Sequence, residues 1–478
     1  MKKNISLVVI CYCALLLSLA ACGNSERGTT KGEDPLIENK NIIRAINMVD
    51  ASFAAYFEPQ GMRMSRYYNP MTKISSSETG SVWMYTSAIE AVNAILEALC
   101  EQKENGVYEH YDTHYARFVK RLDDLYKGLE FYSGTFELTS YTRTNEWTVY
   151  GVNRGSGEGS AEVAGIMNVY DDQMWLVREL LTSYGITKRK EYLERAEYLT
   201  EYVLDGWDCT LDSDGVSELG GITWGPGYTT KHSCSNGPII SPLVWLSELY
   251  EGKIDKLIRY YVAENNKRYI EEVSKYDYYL DFAKRVYAWQ KKKLLRNDGV
   301  YADMMGGSPE KPTYITIEGN EYRNGDNCNV QAGNPLSYNS GTMLSGAVDL
   351  YRVTGETKYL EDAKKLSDES FNYFAKPVAE KAGCYQFNIS GFGNWFNGIL
   401  MRAYFDVYPY HKSTERYLMA FQNNLDYGYD NYYKDGLLPT NLLVGWNRTS
   451  SENATEGMFQ FAYVAELAIL AKYNSQNK

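Results

Sequence analysis

Glu191-Tyr-Leu-Glu-Arg-Ala-Glu-Tyr-Leu-Thr-Glu-Tyr-Val203 is the stretch on which the fold turns. Leu193, Ala196, Leu199 and Val203 recur at helical spacing and form one apolar stripe, while Glu and Arg fill the remaining surface. Its opening phrase, Tyr192-Leu-Glu-Arg-Ala196, returns as Tyr279-Leu-Asp-Phe-Ala283 and Tyr359-Leu-Glu-Asp-Ala363. Weaker copies are Tyr417-Leu-Met-Ala420 and the degenerate His114-Tyr-Ala-Arg-Phe118. Between these amphipathic helices lie segments that are apolar around most of their circumference: Val82 to Leu99, Met174 to Tyr184, Ile239 to Leu249, Met343 to Tyr351, Ile399 to Tyr408 and Met458 to Leu470. Helices apolar on nearly every face are buried on nearly every face. The chain therefore alternates inner and outer helices with a period of roughly 60 to 90 residues. Six inner segments predict six helical hairpins closed into a ring, an all-α (α/α)6 toroid forming one domain over residues 41–475. The competing architecture is an open helical solenoid, whose repeats are usually shorter and more regular.

In such a ring the inner helices run parallel, so their N-terminal ends meet on one face. The residues at those ends are Trp83, Asp171-Asp172, Asn236, Tyr338-Asn339, Asn394-Trp395 and Thr455-Glu456. Polar and aromatic side chains at the mouths of apolar helices suit a sugar cleft. Helix capping accounts for some of the Asn and Thr residues, but not for Trp83 or Tyr338. The loops entering these ends are Gly-rich, as in Asp212-Ser-Asp-Gly-Val-Ser-Glu-Leu-Gly-Gly-Ile-Thr-Trp224. Asp212 and Asp214 beside Gly215 do not complete a calcium loop and read as a solvated turn.

The formal charge of −12 disfavours nucleic acid or an anionic membrane surface as a partner. The four His residues are scattered and no HExxH occurs, so neither a metal nor another cofactor is expected. At the N-terminus, Lys2 and Lys3 precede an apolar run from Ile5 to Ala21 that ends Leu19-Ala-Ala-Cys22. A basic start, a short apolar run and small residues before the cut mark an export signal over residues 1–21. The ending resembles a bacterial lipobox, which implies cleavage before Cys22 and lipidation of its thiol. Residues 22–40 read as a flexible tether. The expected location is the envelope of a Gram-negative bacterium, as an outer-membrane lipoprotein and a monomer. Five cysteines remain after the signal and Cys22; one disulfide is possible, with Cys209 and Cys234 the nearest pair.

The chemistry centres on Asn168-Val-Tyr-Asp-Asp-Gln-Met-Trp175. Two acids at the start of a buried helix are costly unless something uses or pairs them. Glycoside hydrolysis needs two carboxyl groups, about 5 Å apart for retention and about 6.5–9.5 Å for inversion, and neighbouring residues favour the shorter range. Like charges side by side raise one pKa and keep one group protonated, while the helix N-terminus helps the other stay ionised.

Tyr170-Asp-Asp-Gln-Met-Trp175 resembles the active-site segment of glycoside hydrolase family 76, the endo-α-1,6-mannanases. Further matches follow in that family's order: Trp207-Asp208, Gly220-Gly-Ile-Thr-Trp224, Ser235-Asn-Gly237, Tyr338-Asn-Ser-Gly341 and Phe396-Asn-Gly-Ile-Leu-Met-Arg402. The resemblance implies an (α/α)6 barrel and a retaining mechanism, with Asp171 as nucleophile and Asp172 as general acid/base. Trp83, Tyr170, Trp224, Asn236, Tyr338 and Asn339 are assigned to the substrate subsites by their place at the inner-helix ends; Trp175, one turn further in, reads as core. Asn397 departs from the family pattern, where many relatives carry Lys, and the insertion from Ala302 to Leu336 is placed to cover or reshape the cleft. The implied substrate is α-mannan. The alternatives are transglycosylation by the same two acids, a non-catalytic glycan-binding lipoprotein, and another (α/α)6 enzyme acting on acidic sugars, which would need a basic cleft that this chain lacks.

Overall fold

In the computed structural model, which describes residues 35–477, the chain is mostly helical and the two helix types separate by position. The inner set is α2 (Val82–Glu104), α4 (Tyr170–Thr187), α6 (Ile240–Tyr250), α8 (Ser337–Thr354), α10 (Gly393–Val407) and α12 (Gly457–Gln476). The outer set is α1 (Pro35–Tyr56), α3 (Glu109–Leu129), α5 (Lys190–Asp205), α7 (Lys275–Leu294), α9 (Thr357–Phe374) and α11 (Glu415–Tyr432). Each inner helix lies against the next, and α12 lies against α2.

Five inner helices turn back into the outer helix that follows them. The last, α12, pairs instead with α1 from the other end of the described chain. The expected six hairpins are thus five hairpins and one pair made of first and last helices. The repeat missed α1 because it carries no copy of the Tyr-Leu-x-x-Ala phrase, although Ile42, Ile46, Val49 and Phe53 form a buried helical stripe. Helix α1 also runs through residues 35–40, which the sequence assigned to the tether. The glycines that argue for a tether end at Gly32, and Leu36 to Lys40 hold no helix breaker. The export signal and Cys22 lie outside the described residues. Among the described residues no helix is long and apolar enough to cross a membrane.

The repeated tyrosine has a structural meaning. Tyr192 of α5 donates to Asp123 of α3 at 3.0 Å, and Tyr279 of α7 donates to Glu197 of α5 at 3.1 Å. Tyr417 of α11 reaches Asp368 of α9 at 2.5 Å, and Tyr359 of α9 sits edge-on to Tyr287 of α7 at 5.2 Å. In every strong copy the ring ties its outer helix to the preceding one. Hydrogen bonds to charged groups stabilise by roughly 1.5–3 kcal/mol each, so the repeat laces the outer layer together.

The all-α expectation needs one amendment, because several small sheets decorate the helices. Ser133–Thr139 pairs with Thr144–Tyr150, and Lys256–Ala263 with Lys267–Ser274, both antiparallel. A search for helical period passes over such short runs, yet Trp147 and Val149 are buried at the two-residue spacing of a strand. A lone two-stranded ribbon is marginal in water. The first ribbon leans on α5, where the Tyr198 hydroxyl accepts from the Thr148 N–H at 2.8 Å. In the insertion, Met304–Gly306 pairs with Lys231–His232 on one side and Val330–Ala332 on the other.

Candidate active site

Helix α4 begins under tight control. The Tyr170 N–H donates to the Trp224 carbonyl at 2.8 Å, and the Gln173 amide brackets the Tyr150 backbone at 2.7 and 3.2 Å. The first turn of α4 is therefore held between the first β-ribbon and the Gly-rich loop. That loop is shaped by Gly220 and Gly221, at φ 69° and 77°. A Cβ on Gly221 would stand 2.4 Å from the Trp289 ring. Gly221→Ala is expected to cost roughly 2–4 kcal/mol from left-handed strain and overpacking, read as a lower denaturation midpoint.

Beneath the loop lies a buried ion pair. Lys231 Nζ donates to Asp208 at 2.8 Å and to the Gly220 carbonyl at 2.7 Å. Asp208 also accepts from Thr210 at 2.5 Å and from the Asp326 N–H at 2.9 Å, which ties the insertion to the loop.

Asp171 is half-buried and Asp172 is 6% exposed, both in the first turn of α4. Burial lifts the Asp171 carboxyl to about 6; the Cys234 thiol, the amides of the helix start and the Trp224 indole hold it from rising further. Its Oδ1 is buried without a hydrogen-bond partner. Burial, and then the charge of Asp171, push Asp172 well above the usual carboxylate range. The surroundings thus split the dyad: nearby donors hold Asp171 back, while burial and the Asp171 charge push Asp172 further toward its protonated form.

Around the dyad stands an aromatic wall. Trp224 stacks on His232 at 5.0 Å and 17° and contacts Tyr228 at 4.6 Å. Burial lowers His232 to about 4, so it is neutral there. The Tyr338 ring contacts Phe396 at 4.6 Å, and Phe396 stacks on Trp83 at 5.9 Å and 17°. Trp83 also meets Trp395 edge-on at 5.2 Å. Glu90 of α2 accepts from the Trp395 indole at 2.9 Å and from Arg402 at 2.5 Å, so one carboxylate holds both side chains. Trp175 is core, as expected, and meets Trp395 edge-on at 4.8 Å.

Three expected subsite residues are taken up by packing and hydrogen bonds inside the fold. Tyr170 is 1% exposed, its ring packed on Tyr202 and against Gly206. Asn236 is fully buried and spends its amide on Ile222 at 2.8 and 2.9 Å and on the His232 carbonyl at 2.8 Å. Asn339 is also fully buried; it faces Asp303, whose pKa burial raises and Asn339 holds back. Trp83 and Trp224, both half-buried, remain candidates for sugar contact; Tyr338 is only 5% exposed, with its ring against Phe396. Cys209 and Cys234 are both free thiols. The groups the sequence did not assign to the site are Tyr228, His232, Cys234 and Asp303. The signal available for three of them was closeness to Trp224 and Asn236 in the chain. Asp303 had only its place at the start of the insertion.

The sequence profile of glycosyl hydrolase family 76 matches residues 135–249 and 268–477. The chain belongs to this family. Similar proteins agree with the placement. The mannan endo-1,6-α-mannosidases DCW1 of Candida glabrata and Saccharomyces cerevisiae are 26% and 23% identical over 192 residues. That match covers 39% of this chain and 34% of each of those proteins, so it spans about a third of their length. A family 76 mannosidase from Bacteroides thetaiotaomicron superposes with a TM-score of 0.67 at 21% identity, covering 92% of this chain and all of that one. An α-1,6-mannanase of Salegentibacter sp. superposes with a TM-score of 0.58 at 19% identity, covering 90% of this chain and 99% of that one. That structure is an inactive variant, with two aspartates adjacent in sequence changed to asparagine, in complex with α-1,6-mannotriose. At these identities the likeness establishes a shared fold.

Proposed function

We propose that this family 76 chain is a retaining, endo-acting glycoside hydrolase that cuts α-1,6-mannosidic bonds of mannan backbones on a closed (α/α)6 barrel. The observation that carries the proposal is the Asp171–Asp172 dyad in the first turn of α4, where burial and the Asp171 charge push Asp172 further toward its protonated form than Asp171. Asp171 attacks the anomeric carbon while Asp172 gives its proton to the leaving oxygen, so the C1–O bond breaks as the C1–Asp171 bond forms. Asp172, now ionised, takes a proton from water; the water oxygen attacks C1 and releases Asp171. The mannan substrate is supported by the activities of the named relatives. It is supported too by the wall of Trp224, Tyr228, Tyr338 and neutral His232, which brings no positive charge at neutral pH.

The test is incubation of a soluble form, from Lys31 onward, with linear α-1,6-mannan. Short manno-oligosaccharides are expected. Binding without products would point to a glycan-binding lipoprotein, and products longer than the starting oligosaccharide to transglycosylation. The pH profile carries a sign. Asp171 must be ionised, so kcat/KM should fall below about pH 6, and it should fall again as the pH rises through the raised pKa of Asp172. A profile flat from pH 4 to 7 would remove the dyad assignment.

We also read Cys22 as the lipidated anchor of a monomeric envelope protein, facing the periplasm or the outside. The Leu19-Ala-Ala-Cys22 ending supports this reading. Cys22→Ser should move the protein from the membrane fraction to the soluble fraction.

A further inference from the structure

Helix α10 stands opposite α4 in the order of inner helices, and beside it lies a pocket of about 460 Å3 including its mouth. Its walls come from α10, α11 and α12 and from the loops that lead into α10 and α12. The pocket therefore belongs to the same end of the barrel as the dyad. Phe387, Phe421 and Tyr463 supply apolar surface; Asn394, Asn441 and Glu466 supply polar groups.

Glu466 is the unusual member. It is 4% exposed and has no hydrogen-bond donor among the described residues, and a Cβ on Gly398 would lie 3.3 Å from its Oε1. Burial, and then the neighbouring Glu90, lift its carboxyl to about 8, so at neutral pH it can both give and accept a hydrogen bond. The Asn394 amide nitrogen is spent on the Thr440 carbonyl at 2.9 Å, which leaves its oxygen free. The Asn441 oxygen is spent on the Leu443 and Val444 N–H groups at 3.0 and 3.2 Å, which leaves its nitrogen free. Donors and acceptors over aromatic walls match a hydroxylated ring, whose C–H faces lie on aromatic surface. No Lys, Arg or His lines the pocket, so an anion has no partner there. An apolar ligand would leave the Glu466 carboxyl stranded.

Asn394 and Asn397 of the pocket flank Trp395 and Phe396 in the first turn of α10, and Phe396 reaches Trp83 and Tyr338 on the cleft side. One layer of aromatic rings thus separates pocket from cleft. We propose that this pocket is a second sugar-binding site, holding one neutral pyranose ring of the substrate away from the bond being cut. The ring is either a side branch of the backbone or a backbone residue further along. The proposal rests on the hydrolase reading for its substrate, and its test separates the two.

In the full-length protein, Ile389→Trp narrows the mouth and Glu466→Leu removes the polar group, with folding checked by melting temperature. Each variant is assayed on α-1,6-mannotriose, on long linear α-1,6-mannan and on mannan bearing single mannosyl branches. Both variants should keep kcat/KM on the trisaccharide within about twofold and lose about tenfold or more on one polymer. Loss confined to the branched polymer assigns a side branch; loss on the long linear polymer assigns a distal backbone residue. Equal change on all three substrates, or none, overturns the proposal. Should the wild type turn over none of them, the hydrolase reading fails separately. Saturation-transfer NMR with mannobiose then decides the pocket: a signal abolished by Ile389→Trp supports it, and no signal overturns it.

Discussion

Asp172→Ala should slow cleavage of mannan by about 10²- to 10⁴-fold, yet lose far less on an aryl manno-oligosaccharide whose leaving group needs no proton. Asp172 sits in the low-exposure first turn of α4 with its carboxyl pushed toward the protonated form, so its contribution is largest where the departing oxygen is most basic. Azide separates the two acids. With Asp172→Ala, azide should capture the glycosyl-enzyme and give the α-mannosyl azide, because the intermediate forms and is then displaced. With Asp171→Ala no intermediate forms, and azide filling the space should give the β-product. The reverse pairing would exchange the two roles; β-product from both variants would remove the covalent intermediate altogether.

Lys231→Met is the second large effect, and it acts on stability. Lys231 and Asp208 are 2% and 0% exposed, so no water can take over when one partner is removed. Breaking a buried pair costs about 3–5 kcal/mol, a large share of the roughly 5–15 kcal/mol that holds a typical domain. The loss should appear as a lower urea midpoint. It should also loosen the insertion, because the same Asp208 carboxylate accepts from the Asp326 N–H. Faster proteolysis within residues 302–336 would report that loosening. An unchanged midpoint would show that Thr210 and the backbone donors suffice to hold Asp208.

Much of this protein is local and so was legible in the chain. The alternation of fully apolar and amphipathic helices depends only on residue spacing, and the Tyr-Leu-x-x-Ala phrase marks the face that one outer helix turns to the one before it. The Asp171–Asp172 pair needed only its place ahead of an apolar helix. Other features depend on residues far apart in sequence. Nothing in α1 states that it will pair with α12, because that contact is made only when the ends of the domain meet. Tyr170, Asn236 and Asn339 look like Trp83 and Trp224 in the chain: polar or aromatic groups near helix mouths. Their burial is set by what folds over them. Gly206 leaves room for the Tyr170 ring, the Ile222 backbone claims Asn236, and the insertion brings Ala302 and Asp303 against Asn339. The split in the dyad is likewise tertiary. Two identical side chains, one residue apart, differ because Cys234 and Trp224 come from another segment to face Asp171, while Asp172 turns into the core. Periodicity depends on neighbours along the chain, and exposure and pKa depend on neighbours in space.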